Sequence, residues 1–298
     1  MSTIEKALAK QKAGKKAGKK AGQQDAEENS VNNEVETSSA EQEVKPQTSS
    51  SITSKDLRLE INTQSMEERG YLIDSGERKS IKDEFRQIKR KLLNNAFGSA
   101  AKTLNNSNLV MVSSSTPNEG KTFVSINLAL SIALEQDKTV LLVDADVLRP
   151  SVNRELGITT KPGLMEYLLG EKQNINEIIY STSIEKLKLI PAGAPHHLSN
   201  ELLASDKMAS LAQELADRYP DRIVIFDCPP LIGVTETLVL ANLMGQAVVV
   251  VEENKTKLAD IQKATENLNE NLALGLVVNK AIRSHKDMYG YYGYGYGK

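Results

Sequence analysis

The residues with the clearest chemical signature are a run of small and polar side chains that ends in Gly120-Lys121-Thr122. An apolar segment precedes the run at residues 109–112, and a second one follows it at residues 123–130. Strand, turn and helix in that order are the context in which such a run binds phosphates through backbone N–H groups. Lys121 would place a positive charge at the outer phosphates, and Thr122 would place its hydroxyl on Mg²⁺. We predict a nucleotide-binding loop made of Ser115, Thr116, Pro117, Asn118, Glu119, Gly120, Lys121 and Thr122.

One position of this loop departs from the pattern G-x-x-x-x-G-K-[ST], because Ser115 stands where the first glycine is expected. Serine is small but carries a Cβ, so this residue permits the tight turn without requiring it. The alternative interpretation of the whole run is a Gly-Lys turn that caps an ordinary helix.

Acidic residues directly follow two further apolar runs. Asp144 and Asp146 end one of them, and Asp227 ends the other. In open α/β sheets the ligand lies beyond the carboxyl ends of the strands, so we expect these acids and Lys121 in one crevice. Asp227 stands where a Walker B acid would help to hold Mg²⁺. A single aspartate after a strand often caps the next helix, but three of them after a phosphate loop favour a metal site.

From residue 109 onward, short apolar runs alternate with helical patterns. Continuous apolar runs indicate strands that are buried on both faces, and their alternation with helices indicates a parallel sheet. We therefore predict an α/β protein with a P-loop NTPase three-layer fold, in which helices cover both faces of a mostly parallel sheet. The expected strands are residues 109–112, 139–143, 187–190, 222–226, 247–251 and 274–278. The expected helices are residues 120–135, 163–169, 199–218, 235–244 and 256–271.

Composition limits the classes of function. The chain has 298 residues and a net charge of −2, which is no general signature of nucleic-acid binding. Its single cysteine, Cys228, excludes an internal disulfide framework and fits a reducing compartment. The sequence has no apolar run of the ~18 residues that a membrane span needs, and no secretory signal at its N-terminus. We expect a soluble cytoplasmic protein.

Composition also divides the chain into three regions. Residues 1–79 are expected to be a flexible, low-complexity N-terminal region, because too little of it is apolar to offset the entropy of ordering. Lysines cluster in its first 22 residues. They could contact DNA or anionic lipid, but a solvated tail is the favoured interpretation. Residues 80–283 are expected to form the P-loop domain, and residues 284–298 a tail rich in tyrosine and glycine.

Three motifs in order resemble Walker A, A′ and B of the bacterial protein-tyrosine kinases (BY-kinases) that serve polysaccharide export. They are Ser115–Thr122, residues 140–146 and residues 223–230. The tyrosine cluster of the tail is the other hallmark of that family. The first residues, around Ile4–Leu8, are similar to those of stand-alone cytoplasmic members associated with exosortase and exopolysaccharide genes. The resemblance covers roughly residues 80–298 and the first ten residues.

This resemblance implies a non-specific protein-tyrosine autokinase that uses ATP and Mg²⁺. Lys121 would hold the β- and γ-phosphates, and Asp146 would orient or deprotonate a tyrosine hydroxyl. Asp144 and Asp227 would help Thr122 to place the metal. Asn279 resembles a base-contacting asparagine of related NTPases, although a strand-ending turn explains it equally well. The implied phosphate acceptors, modified mainly between subunits, are Tyr289, Tyr291, Tyr292, Tyr294 and Tyr296.

The resemblance also implies partners. Members of the family form rings through the motif Glu-x-x-Arg-x-x-Arg, which here becomes Asp83, Arg86 and Lys89. Lysine cannot reproduce the bidentate fork of arginine, and without the resemblance the three residues read as a solvated helix face. A membrane polysaccharide co-polymerase is the implied activator, at the inner face of the membrane, and a cognate tyrosine phosphatase is the implied antagonist. The implied role is the regulation of exopolysaccharide synthesis, polymerisation or export.

Two alternative functions remain open. A ParA/MinD-like positioning ATPase would explain the lysine-rich N-terminus, but such proteins carry a lysine where this chain has Thr116, and the tyrosine tail would have no purpose. A non-catalytic nucleotide-binding regulator of a polysaccharide co-polymerase is the second. It is favoured by Ser115 and by Leu148, which occupies the arginine position of the A′ pattern Asp-x-Asp-x-Arg. Arg149 follows one residue later.

Overall fold

The structure, a computed structural model, describes residues 58–73 and 79–282. Its strands are β1 (Arg58–Leu59), β2 (Leu109–Ser114), β3 (Thr139–Asp144), β4 (Tyr180–Thr182), β5 (Leu187–Ile190), β6 (Arg222–Asp227), β7 (Gln246–Glu252) and β8 (Ala273–Asn279). They form an eight-stranded sheet in the order β1-β4-β5-β3-β6-β2-β7-β8. Every neighbouring pair is parallel except β4 and β5. The predicted mostly parallel α/β sheet is confirmed, and all six expected strands are present.

Helices connect the strands. The α-helices of the described residues are α1 (Thr63–Glu68), α2 (Lys79–Phe97), α3 (Lys121–Ala133), α4 (Val152–Leu156), α5 (Leu164–Leu169), α6 (Ser199–Leu203), α7 (Asp206–Asp217), α8 (Thr235–Ala241) and α9 (Leu258–Thr265). Short 3₁₀ turns lie at Ser99–Thr103 and Ile175–Glu177. None of the helices in these ranges is both long enough and apolar enough to cross a membrane.

The sheet separates two hydrophobic cores. Successive residues of a strand point to opposite faces, so Leu109 and Met111 of β2 pack in one core and Val110 and Val112 in the other. Helices α2 and α3 cover the second face, and α5, α7 and α8 cover the first. Burial on both faces explains why the strands read as continuous apolar runs. It also fixes the carboxyl ends of β3 and β6 side by side, with Asp144 opposite Asp227.

Ordered structure begins before residue 80, which corrects the predicted boundary of the flexible region. Strand β1 pairs with β4, and Met66 of α1 is fully buried. The Leu72 N–H donates to Asn127 Oδ1 of α3 at 2.8 Å. A two-residue strand and a six-residue helix are too short to show a periodicity, and contacts with the rest of the domain stabilise them. Residues 1–57 and the tyrosine tail lie outside the described residues.

Four further differences from the predicted elements are found. The helix predicted at residues 199–218 is broken into α6 and α7, because the Ser205 hydroxyl accepts from the Met208 N–H and starts a new helix. Helix α9 is shorter than the predicted 256–271. The antiparallel strand β4 and the single-turn helix α4 were not predicted, since each is shorter than the windows in which periodicity is visible.

Candidate nucleotide and phosphotransfer site

The loop between β2 and α3 has the backbone conformation of a phosphate-binding loop. Gly120 has φ +95°, a conformation that is strained for a residue with a Cβ, and a Cβ here would also collide with the Asn279 side-chain amide. Asn118 is also left-handed, with φ 70°. Ser115 is not among the described residues with positive φ, which explains why serine is accepted where glycine was expected.

Side chains fix the loop from behind. The Glu119 carboxylate accepts from the Thr116 N–H at 2.8 Å and from the Thr256 hydroxyl. Asn279 Nδ2 donates to the Glu119 carbonyl at 2.8 Å, and Lys280 Nζ donates to the Asn118 carbonyl at 2.8 Å. Glu119 and Asn279 were both predicted to bind nucleotide. In the structure their side chains instead form hydrogen bonds with the backbone of the loop. Residues after β7 and at the end of β8 therefore hold the loop in shape.

Lys121 lies among the predicted aspartates. Its Nζ is 2.6 Å from Asp146 Oδ2 and 3.8 Å from Asp227 Oδ1. Asp146 also accepts from the Arg149 N–H through Oδ1 at 3.1 Å. The structure thus brings together the lysine of the loop, one acid that follows β3 and one that ends β6, as the spacing predicted.

Thr122 connects the loop to Asp227. Its hydroxyl donates to Asp227 Oδ2 at 2.7 Å and lies 2.8 Å from the Ser151 hydroxyl. Ser125, one turn along α3, places its hydroxyl 3.0 Å from Asp227 Oδ1. Sequence reasoning missed Ser125 and Ser151. Their spacing from Lys121 and Asp146 could have indicated them, but serine is common after strands and in first helical turns.

Asp144 is deeply buried, and only one of its two carboxylate oxygens has a hydrogen-bond partner. Its Oδ2 accepts from the Val152 N–H at 3.2 Å, while its Oδ1 has no hydrogen-bond partner. Within the described ranges, no three His, Cys, Asp or Glu side chains form a metal cage. Mg²⁺ usually keeps several waters and binds through few protein ligands plus substrate phosphates. The Thr122 hydroxyl, Asp227 and the unpaired Asp144 oxygen are the groups that would hold it.

Burial and mutual repulsion control the charges here. Burial alone would lower the pKa of Lys121, but the carboxylates of Asp227 and Asp146 outweigh it and raise the pKa above its ordinary value. Burial, and then the charge of Asp227, raises the pKa of Asp144 well above its usual range. Burial also raises the pKa of Asp227, against the lowering effect of Lys121. The positive charge of Lys121 is therefore not enough to keep both Asp144 and Asp227 ionised. A divalent cation would supply the missing positive charge.

The site opens into a cleft of about 720 Å³, a volume that suits a nucleotide. Four residues outside the predicted set form part of its wall. Glu155 Oε2 accepts from Tyr71 Oη at 2.9 Å and from Arg69 Nη1 at 3.1 Å, and its Oε1 accepts from Arg154 Nη2 at 3.0 Å. Tyr71 and Arg69 come from the segment before residue 80. No motif in the sequence indicated that they reach the cleft.

Some predicted residues lie elsewhere. Lys89 is buried, and its Nζ lies 2.5 Å from Glu135 Oε1 and donates to the Ser131 carbonyl at 2.9 Å. This differs from the expected subunit contact, because the ammonium is already used inside the domain. Asp83 and Arg86 pair with each other on the exposed face of α2. The predicted acceptor tyrosines lie outside the described residues.

Comparisons with known proteins agree with this geometry. Residues 108–275 match the family model described as an AAA domain. The tyrosine-protein kinase YwqD of Bacillus subtilis (strain 168) is 34% identical over 186 residues, which are 62% of this chain and 77% of YwqD. The putative tyrosine-protein kinase EpsB of Ralstonia nicotianae is 34% identical over 185 residues, 62% of this chain but only 24% of EpsB. The chain thus matches about a quarter of the length of EpsB.

Solved structures give the same answer. The kinase domain of the Escherichia coli tyrosine kinase ETK superposes with a TM-score of 0.56 at 27% identity, over 72% of this chain and 80% of that domain. The cell division ATPase MinD of Pyrococcus furiosus shares the fold, with a TM-score of 0.50 at 26% identity over 60% of this chain and 74% of MinD. YwqD and EpsB carry the name tyrosine-protein kinase, and ETK, which superposes better than MinD, is also a tyrosine kinase. The chain belongs to the family of bacterial protein-tyrosine kinases built on the AAA-type P-loop domain.

Proposed function

We propose that this protein is an ATP- and Mg²⁺-dependent autokinase that phosphorylates the tyrosines of its own C-terminal segment. The observation that carries the proposal is the position of Asp146, which lies 2.6 Å from the loop lysine and beside the cleft. An acid placed next to the phosphate-binding lysine, but outside the Thr122–Asp227 pair, has the position of a base for an incoming hydroxyl.

The proposed reaction needs few protein groups. The Oη of an acceptor tyrosine attacks the γ-phosphorus of ATP, the bond to the β–γ bridging oxygen breaks, and ADP leaves. Asp146 takes the hydroxyl proton, once Lys121 has moved from its carboxylate to the phosphates. Thr122 and Asp227 would hold Mg²⁺, which would supply positive charge to the phosphate oxygens. Phosphoryl transfer depends mostly on positioning and electrostatics, so this set is sufficient.

The acceptors that we propose are the five tyrosines between residues 289 and 296. Glycines separate most of them, so the segment enters a neighbouring cleft at little steric cost. Transfer between subunits requires assembly, for which Asp83 and Arg86 remain on the exposed face of α2. We also propose a cytoplasmic location at the inner face of the membrane, a membrane activator, an opposing tyrosine phosphatase and a role in exopolysaccharide production. These four proposals rest on the family resemblance.

The positioning ATPase is the less favoured alternative. Its distinguishing lysine would stand at position 116, where this chain has the uncharged Thr116. A shift of non-specific DNA in a gel with ATP would support that alternative, and we expect none. The non-catalytic regulator predicts nucleotide binding without phosphotyrosine.

A complementation experiment tests transfer between subunits. The acceptor is the full chain with Lys121→Met, and the donor is the active domain truncated after Asp287. We expect phosphotyrosine on the acceptor only when both proteins and Mg-ATP are present. If the mixture stays unlabelled while the wild-type chain labels itself at a rate independent of its concentration, transfer occurs within one chain and the proposed arrangement is wrong.

A further inference from the structure

Strand β8 differs from the other strands in its exposure. It is the last strand of the sheet and pairs with β7 alone among the described strands. On one of its faces Leu274, Leu276 and Val278 are 45%, 53% and 57% exposed. We call these three residues the β8 stripe. They stand next to Ala247, Val249 and Val251 of β7, which are buried in a hydrophobic core.

An edge strand with an apolar, uncovered face is a template for another strand. Its outer N–H and C=O groups are unpaired, and natural proteins usually shield such edges with charges, proline or a covering element. Within residues 58–73 and 79–282, no charge, proline or covering element shields the β8 stripe. Peptides that add to such an edge gain main-chain hydrogen bonds, and their alternate side chains set the specificity. An occupant of β8 should therefore have three apolar side chains at every second position.

The sequence holds a segment with that pattern close to β8. Residues 292–297 read Tyr-Gly-Tyr-Gly-Tyr-Gly, so in an extended conformation three tyrosines share one face and three glycines share the other. Tyrosine favours strands, and its ring packs well on aliphatic side chains. Six extended residues span about 20 Å, close to the length of β8. Residues 289–291 break the alternation, since Tyr291 and Tyr292 are adjacent.

We propose that residues 292–297 add to the free edge of β8 as an antiparallel strand of the same chain. In this register Tyr292, Tyr294 and Tyr296 cover Val278, Leu276 and Leu274. Residues 280–291 connect the two strands. The connection starts with a turn, because Lys280 has φ 58° and the Ile282 N–H donates to Glu253 Oε2 at 2.8 Å.

The docked segment would regulate the proposed kinase, and this part rests on the proposed function. Each phosphate adds a charge of about −1.5 to −2. A dianion on the ring of Tyr294 cannot stay on an aliphatic stripe without losing its hydration. Phosphorylation of these tyrosines therefore releases the segment and uncovers β8, while dephosphorylation lets it dock again.

Hydrogen exchange of the phosphatase-treated chain without nucleotide tests docking independently of kinase activity. We expect the β8 amides to exchange at least ~10-fold more slowly in the full chain than in a chain truncated after Asp287, with β2 unchanged. Tyr294→Ser should lose this protection, and the matched control Tyr289→Ser, outside the register, should keep it. Leu276→Gln changes the β8 side of the proposed contact and should also lose the protection of the β8 amides.

Three results would overturn the proposal. Equal β8 exchange in the full and truncated chains would show that the segment does not dock. Equal effects of Tyr294→Ser and Tyr289→Ser would show that the register is wrong. Protection that rises with protein concentration would assign β8 to a second copy. If docking is seen but ATP adds no phosphate, only the regulatory part and the proposed function fail.

Discussion

Lys121 Nζ and Asp146 Oδ2 lie 2.6 Å apart in a cleft where both side chains are nearly buried. The lysine that should bind phosphates is thus paired with the acid that should accept a proton. Burial alone would lower the pKa of Lys121, but the carboxylates of Asp227 and Asp146 raise it above its ordinary value. In the proposed mechanism nucleotide binding separates the two groups, so that the phosphates position Lys121 and free Asp146. Substrate binding would then also activate the base.

The first prediction follows from this pair. Asp146→Asn removes the proton acceptor but leaves the loop intact, so tyrosine phosphorylation should fall about 10²–10⁴-fold. Nucleotide affinity should stay equal or improve, because Lys121 no longer has to leave a carboxylate. Rates with labelled ATP and titrations with a fluorescent nucleotide measure the two effects. Asp137→Asn, an exposed acid paired with its neighbour Lys138, is the control and should change neither. Full activity of Asp146→Asn would remove Asp146 from the mechanism.

The second prediction concerns pH. The pKa of Asp144 is raised in the fold above its unfolded value, by burial first and then by Asp227. The folded state therefore binds more protons, and this group's contribution to stability decreases as pH rises above the unfolded value of ~3.9. Without metal, Asp144→Asn should stabilise the protein by about 1 kcal/mol at pH 8 and by less at pH 5.

Urea unfolding at the two pH values measures the difference. Added Mg²⁺ with nucleotide should stabilise the wild-type protein more than the variant, because we propose Asp144 as one of the groups that hold the metal. A variant that is equally stabilised at both pH values would contradict a raised pKa at Asp144.

The third prediction tests the loop. Gly120→Ala introduces a Cβ that meets Asn279 Nδ2 and also requires a left-handed alanine, which costs about 1–2 kcal/mol. Nucleotide affinity should fall about 10-fold or more. The double variant Gly120→Ala/Asn279→Ala removes the collision and should recover part of the affinity in calorimetric titrations. If the double variant binds no better than Gly120→Ala alone, the contact between Asn279 and the loop is not what limits this position.

The fourth prediction concerns the segment before residue 80. Tyr71→Phe removes a part-buried hydrogen bond to the Glu155 carboxylate and should destabilise the domain by about 1.5–3 kcal/mol. Limited proteolysis should then cut this segment faster than in the wild-type protein. Tyr219→Phe is the matched control, since Tyr219 contacts Arg222 and Arg218 away from the cleft. Similar proteolysis of both variants would show that the Tyr71–Glu155 contact does not hold the segment.

Much of the fold was predictable because it depends on strands that are buried on both faces. All residues of β2 and β6 are buried, so both strands read as continuous apolar runs that end in functional residues. The meeting of Lys121, Asp146 and Asp227 followed from the rule that ligands bind at the carboxyl ends of parallel strands. The apolar pattern of the strands extends over many residues, so a single polar residue within a strand does not change the prediction.

The unpredicted features depend on single long-range contacts. Tyr71 reaches Glu155 across 84 positions of sequence, and no local pattern announces that contact. Lys89 occupies a charged position of α2 and yet is buried, because Glu135 and the Ser131 carbonyl satisfy its ammonium. The spacing of residues shows which side chains share a helix face. It does not show which of them find a partner inside the fold.

The central claim is tyrosine autophosphorylation, and one measurement addresses it most directly. The phosphatase-treated chain is incubated with labelled ATP and Mg²⁺, and phosphotyrosine is located by mass spectrometry. We predict phosphate on tyrosines between residues 289 and 296 in the wild-type chain, and none there in Lys121→Met. A wild-type chain that binds nucleotide but forms no phosphotyrosine, even with the cytoplasmic segment of a membrane partner added, would contradict the account and favour a non-catalytic regulator.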